Sequence, residues 1–209
     1  MTDTITTTDP RVLFHRAVAT GEEVVAALTP AQLALPTPCD DFDVRGLLVH
    51  LLVVLDRVGA LAEGGDPWAI EVPEVADDAF AATWRDLAAG AENAWRDDDV
   101  LDRVITLPWA QQPGRVILLS YVSEVLVHLW DIAQATGQRP QWDDEAVAGA
   151  LAAMQEMLPA GDRLARFHEV VAQMPADMRP TTPPFAEAVD VPAGAPLIDR
   201  LVAWNGRRP

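Results

Sequence analysis

Residues 115–136 read RVILLSYVSEVLVHLWDIAQAT and decide the fold class, because they form the strongest helical pattern in the chain. Apolar residues recur along them at helical spacing, and Gly137 follows as a predicted C-cap. At about 100° per residue, the polar side chains fall within an arc of about 140°. This polar stripe comprises Ser120, Ser123, Glu124, His128, Asp131 and Gln134. We therefore predict a long helix with one polar face.

The polar stripe has two interpretations. It can be the solvent face of an amphipathic helix, or it can offer metal ligands, since Glu124 and His128 lie one turn apart on the same face. His50 favours a metal site, because it interrupts an aliphatic run at residues 47–55, where an unpaired imidazole would be costly. A hydrogen-bonded core histidine is the usual alternative for such a residue.

Two imidazoles and one carboxylate suit zinc or another borderline divalent ion, such as nickel, iron or manganese. With only His50, Glu124 and His128 as protein ligands, one position stays open for water or substrate, which is typical of catalytic sites. Asp131 stays on the same face as Glu124 and His128, so it can orient a ligand histidine or act as a base. The alternative for Asp131 is an exposed carboxylate.

Several other polar residues can be placed relative to this stripe. Arg57 follows His50 by seven residues and returns to the same helix face, where it either receives a substrate carboxylate or covers the surface. Cys39 precedes His50 by eleven residues, about 16 Å along a straight helix, so we expect a structural cysteine and not a ligand. His15 and His168 are expected to be exposed, and Trp130 is expected to pack in the core.

The rest of the chain also predicts helices. Periodic apolar residues favour helices over about residues 12–28, 44–62, 79–95, 143–157 and 197–204, with Asp43 capping the second. A short extended crossover is expected at residues 103–112, and a proline-rich meandering segment at residues 175–196. The predicted fold class is therefore all-α. We expect one domain, residues 1–209, with a core at about 9–157 and a C-terminal extension at about 158–209.

Composition restricts the partners. The chain has 15 Lys and Arg residues and 32 Asp and Glu residues, which gives a formal net charge of −17. This negative charge repels the phosphates of nucleic acids and the headgroups of anionic lipids. We therefore expect no nucleic acid and no membrane as partner. The single cysteine permits no intramolecular disulfide, and the polar, Thr-rich start resembles no secretory signal. These features predict a cytoplasmic protein, and they leave open whether it is a monomer or a homodimer.

Three motifs in order resemble those of a known family. Residues 37–50, TPCDDFDVRGLLVH, resemble T-P-C-x-x-W-x-V-x-x-L-x-x-H, with Phe42 where Trp is usual. Residues 124–137, EVLVHLWDIAQATG, resemble E-x-x-x-H-x-W-D-x-A-x-A-T-G, and residues 201–207, LVAWNGR, resemble L-x-A-x-x-G-R. These are motifs of actinobacterial metal-binding proteins of the DinB/YfiT-like superfamily. The resemblance extends from about residue 9 to the end.

The resemblance implies a four-helix bundle with a long crossover and a zinc ion on His50, Glu124 and His128, as in the metal domain of mycothiol-dependent maleylpyruvate isomerase. It also implies a divalent-metal-dependent enzyme that activates a low-molecular-weight thiol such as mycothiol and uses it in S-transfer or isomerisation of a small molecule. A metal-binding protein without turnover and a metal-assisted hydrolase are the alternatives. The region after Met157 is too short for the isomerase's second domain, so that particular isomerase activity is not expected.

Overall fold

Helices form most of the computed structural model, which describes residues 8–107, 110–173 and 186–209. Their bounds are α1 Pro10–Ala26, α2 Val44–Glu63, α3 Phe80–Ala94, α4 Asp98–Asp102, α5 Gly114–Thr136, α6 Asp144–Met157, α7 Arg163–Gln173 and α8 Leu197–Trp204. A 3₁₀ turn spans Pro30–Gln32, and strands β1 Val104–Leu107 and β2 Ala110–Pro113 form one antiparallel hairpin. The all-α prediction is confirmed.

Four of these helices form the bundle that carries the site. Helix α1 packs against α3 and α5, and α2 packs against the same two helices, which closes a four-membered ring. The connection from α3 to α5 is the long crossover, and it contains α4 and the β-hairpin. Helix α6 covers α1 and α5, while α8 packs on α6 and α5. The predicted four-helix bundle with a long crossover is thus confirmed.

Caps set the ends of the helices that hold the site. The carboxylate of Asp43 accepts the backbone N–H of Gly46 at 2.7 Å, as predicted for the start of α2. At the other end of α2, Gly64 adopts φ 76°, a left-handed conformation that a residue without Cβ takes at little cost. Gly137 ends α5 in the same way, with φ 71°. The predicted stop at Gly137 is therefore observed, and Gly64 ends α2 in the same conformation.

Helix α5 is the core helix of the bundle. Within the part of the chain that the structure describes, it is the one helix whose length and composition alone would allow it to cross a membrane. Of that apolar window, 78% is buried inside the protein. Burial by neighbouring helices accounts for the apolar composition, because a core helix of a soluble protein has the same character.

The structure differs from the sequence-based expectations in three segments. The crossover predicted as a short extended segment is the β-hairpin, and the short helix α4 that precedes it was not predicted. Helix α7 was not predicted, because Pro159 and Gly161 precede it and the segment is short and hydrophilic on average. Of the predicted meandering segment, residues 175–185 lie outside the described residues. The described remainder before α8 contains no helix.

Candidate metal centre

Three side chains converge between α2 and α5. His50 comes from α2, and Glu124 and His128 come from successive turns of α5, with one ligand atom from each lying within 4.8 Å of the other two. The Nε2 atom of His50 lies 3.1 Å from Oε1 of Glu124, and Nε2 of His128 lies 3.4 Å from the same oxygen. The packing of α2 on α5 therefore brings together the three residues that the sequence singled out.

The cluster is open on one side. The side chains of His50 and Glu124 are 25% and 31% exposed, whereas that of His128 is 10% exposed. Two imidazole nitrogens and a carboxylate oxygen at this spacing fit the donor set that zinc prefers, and the exposed side leaves room for a further ligand. The interpretation of the stripe as a solvent face is wrong for Ser123, His128 and Asp131, which are buried.

Aromatic contacts hold the two histidine rings. Phe42 stacks on His50 with ring centroids 5.4 Å apart and an interplanar angle of 27°. The rings of His50 and His128 meet edge to face, with centroids 4.9 Å apart. Phe42 was noted in the sequence only as a departure from a motif, and its contact with His50 depends on the loop before α2. Its position indicates that this aromatic residue restricts the orientation of the His50 ring.

Hydrogen bonds shift the protonation of two of these residues. Burial favours the neutral form of Glu124, but hydrogen bonds from His128 and His50 hold the pKa of this carboxyl well below its ordinary value. Burial also lowers the pKa of His128, yet hydrogen bonds to Asp131 and Glu124 outweigh it and raise this pKa to about 9. In the metal-free protein at neutral pH, His128 is therefore an imidazolium between two carboxylates.

Asp131 lies directly behind His128. Its carboxylate has 0% exposed side-chain surface, and its Oδ2 atom lies 3.1 Å from Nδ1 of His128. The same carboxylate accepts two hydrogen bonds from Arg207, which follows α8. The alternative of an exposed carboxylate is therefore wrong for Asp131. Arg207 was missed as a site residue, although the signal was present in the Gly-Arg pair of the third motif.

Cys39 lies closer to the site than expected. Its sulfur is within 4.8 Å of a ring nitrogen of His128 and a carboxylate oxygen of Asp131. The expected distance of about 16 Å from His50 assumed a continuous helix. That assumption is wrong, because α2 begins at Val44 and the preceding chain turns back, with the Phe42 N–H bonded to the Cys39 carbonyl. Burial raises the pKa of the Cys39 thiol, so it is mainly protonated at neutral pH.

Arg57 on α2 and Tyr121 on α5 form a second polar group near the candidate ligands. The Nε atom of Arg57 donates to the Pro67 carbonyl at 3.1 Å, and its guanidinium lies 4.6 Å from the centroid of the Trp68 ring. Arg57 also lies close to Tyr121, one turn before Glu124 on α5, and interacts with it electrostatically. Burial raises the pKa of Tyr121 to about 12, so its hydroxyl keeps its proton at neutral pH. Tyr121 was not predicted as a site residue.

The remaining histidines lie away from this centre. His15 is 66% exposed and contacts Glu92 on α3, while His168 is exposed on α7. Neither belongs to a group of potential metal ligands among the described residues. Trp130 is buried in the core, as expected from its place on α5.

Comparisons with known proteins agree with this architecture. The sequence profile of the mycothiol maleylpyruvate isomerase N-terminal domain matches residues 14–133, more than half of the chain. The chain therefore belongs to this family, which links it to the metal-binding DinB-like superfamily. Two uncharacterized proteins from Mycobacterium tuberculosis, from strains CDC 1551 / Oshkosh and ATCC 25618 / H37Rv, are each 28% identical over 199 residues. That alignment covers 95% of this chain and 98% of each relative. No solved structure matches significantly.

Proposed function

We propose that this protein is a divalent-metal-dependent enzyme that uses a low-molecular-weight thiol, such as mycothiol, in S-transfer or isomerisation of a small electrophile. The observation that carries the proposal is the convergence of His50, Glu124 and His128 within 4.8 Å, in a chain of the mycothiol maleylpyruvate isomerase N-terminal domain family. We propose these three residues as the metal ligands. Zinc is the preferred ion because of the two imidazoles, with nickel, iron or manganese as alternatives.

The chain's own groups have distinct roles in this proposal. When bound, the ion would lower the pKa of a coordinated thiol, so that a thiolate is available as nucleophile at neutral pH. The carboxylate of Asp131 accepts a hydrogen bond from Nδ1–H of His128 and so directs the opposite nitrogen, Nε2, to the open side of the site. The exposed side of His50 and Glu124 is where thiol and electrophile would enter.

Arg57 is proposed to bind an anionic group of the thiol or of the electrophile. It has no carboxylate within salt-bridge distance among the described residues, although the chain carries 32 acidic side chains. A cation held beside Tyr121, one turn from a metal ligand, can attract a carboxylate and orient it by hydrogen bonds. We also propose that the protein acts in the cytoplasm, because Cys39 and a thiol cosubstrate stay reduced in that compartment.

Elemental analysis of the purified, tag-free protein tests the metal site. About one divalent ion per wild-type chain, and none in the His50→Ala, His128→Ala double variant, is the expected result. Equal metal content in both proteins would refute the ligand assignment. The metal-loaded protein is then assayed for loss of free thiol with a panel of electrophiles, against the same protein after chelation.

The assay also separates the alternative functions. Turnover that requires both metal and thiol supports the proposed enzyme. Hydrolysis of activated esters that needs metal but no thiol would instead indicate a metal-assisted hydrolase. Stoichiometric metal with no turnover in either assay would favour a metal-binding protein without catalysis.

A further inference from the structure

Behind the candidate metal centre lies a buried ion pair between Asp131 on α5 and Arg207, which follows α8. The guanidinium of Arg207 donates from Nε to Oδ1 of Asp131 at 3.2 Å and from Nη2 to Oδ2 at 2.8 Å. Asp131 has 0% exposed side-chain surface, and Arg207 has 19%. The two planar groups therefore meet through two parallel hydrogen bonds, the arrangement that gives an arginine–carboxylate pair its geometric specificity.

The oxygen that Arg207 holds at 2.8 Å is the one that faces His128. Oδ2 of Asp131 lies 3.1 Å from Nδ1 of His128, so four side chains form one line of contacts, in the order Arg207, Asp131, His128 and Glu124. A carboxylate on Nδ1 fixes the proton there and leaves Nε2 for a metal ion. Without Arg207, the buried carboxylate of Asp131 would lose one of the two cations that it contacts and two of the donors that fix its orientation.

The end of α8 delivers Arg207 to this position. The N–H of Gly206 bonds to the Ala203 carbonyl at 3.0 Å, and the N–H of Arg207 bonds to the Val202 carbonyl at 2.9 Å, which is the Schellman pattern. Gly206 has φ 86°, and a Cβ there would lie 2.6 Å from Cβ of Ala186. The turn therefore requires glycine, and it directs the next side chain back toward α5.

We propose that Arg207 is a positioning residue, which holds the Asp131 carboxylate against Nδ1 of His128 and thereby presents Nε2 of His128 to the metal. The effect on metal binding rests on the proposed function, whereas the effect on the His128 ring does not. Arg207 lies outside residues 14–133, so the family match alone does not assign it any role. The C-terminal extension is thus part of the site and not only a cover for α5 and α6.

The test compares Arg207→Met with Arg208→Met. Both variants remove one positive charge from the same segment, but Arg208 is exposed and has no place in the line of contacts. Zinc affinity is measured by competition with a chromophoric chelator at fixed pH. We expect Arg207→Met to bind zinc about tenfold to 100-fold more weakly than wild type, the usual range for partners of a metal-ligating histidine. Arg208→Met should stay within about twofold, because the charge of an exposed side chain is screened by solvent and salt.

Two further measurements separate positioning from general loss of structure. Long-range ¹H–¹⁵N spectra of the metal-free proteins report the His128 ring, whose Nδ1 proton should exchange slowly in wild type and rapidly in Arg207→Met. Arg207→Lys keeps the charge but lacks the two-donor fork, so its zinc affinity should lie between those of wild type and Arg207→Met. This conservative variant also serves as the test if Arg207→Met does not fold.

The outcomes are distinguishable. Equal zinc affinity and equal Nδ1 exchange in Arg207→Met and Arg208→Met would overturn the positioning role. An Arg207→Lys protein that matches wild type in both measurements would overturn the requirement for the two-donor contact. If wild type binds no zinc but Nδ1 exchange still accelerates in Arg207→Met, the proposed function fails and the positioning of His128 by Arg207 is supported.

Discussion

Metal binding should release a proton from His128, and this makes affinity depend on pH in a defined way. The pKa of His128 is raised to about 9 in the metal-free protein, because its ring lies between Asp131 and Glu124. At pH 7 the imidazolium therefore outnumbers the neutral ring by about 100 to 1. A metal ion binds only the neutral ring, so it must displace this proton.

The sign and size of the effect follow from that displacement. Between about pH 9 and pH 7, each unit by which the pH falls should weaken zinc binding about tenfold, since one proton competes for one nitrogen of His128. Glu124 adds no proton in this range, because hydrogen bonds hold the pKa of its carboxyl well below the ordinary value. Affinity should therefore fall about tenfold from pH 8 to pH 7.

Isothermal titration in buffers of different ionisation enthalpy counts the released protons directly. We expect about one proton per zinc ion at pH 7, and fewer for Glu124→Gln, in which a neutral amide replaces one of the two carboxylates that hold the proton on His128. An affinity that does not change between pH 7 and pH 8, with no proton release in wild type, would refute this account of the ring. A His128→Gln control gives the background from all other groups.

Three other predictions concern single residues. Cys39→Ser should leave zinc affinity within about tenfold of wild type by chelator competition, and a larger loss would make this sulfur a ligand. Arg57→Met should raise KM for carboxylated substrates at least about tenfold while metal content stays at one ion, whereas an unchanged KM would exclude its role in binding anions. Asp43→Ala should lower the free energy of unfolding by about 1 kcal/mol in urea, because the cap of α2 is lost, and an unchanged midpoint would contradict this.

The parts of the site that were predicted from sequence depend on regular helices. The spacing of Glu124 and His128 is local to α5, and His50 stood out because it interrupts an aliphatic run in α2. The helical and apolar patterns of the sequence were therefore sufficient to identify the three proposed ligands as candidates. The caps at Asp43 and Gly137 were predicted for the same reason, since capping chemistry is also local.

Sequence periodicity does not predict where loops and terminal segments contact the helical bundle. Cys39 was placed too far from the site because the chain doubles back before α2, and Arg207 contacts Asp131 across 76 residues of sequence. Tyr121 was not singled out from the sequence, because its proximity to Arg57 arises only when α2 and α5 pack together. The single-domain organisation of the whole chain stays a prediction.

Enclosure of α5 by its neighbours makes it the segment whose amide hydrogens should exchange most slowly. They reach solvent only when α1, α2, α6 and α8 separate from it, so their opening free energy approaches that of global unfolding. Arg207 instead follows an eight-residue terminal helix, whose local opening needs less free energy. In mild denaturant the hydrogen bonds from Arg207 to Asp131 should therefore be lost first, while α5 stays folded and keeps Glu124 and His128 in position.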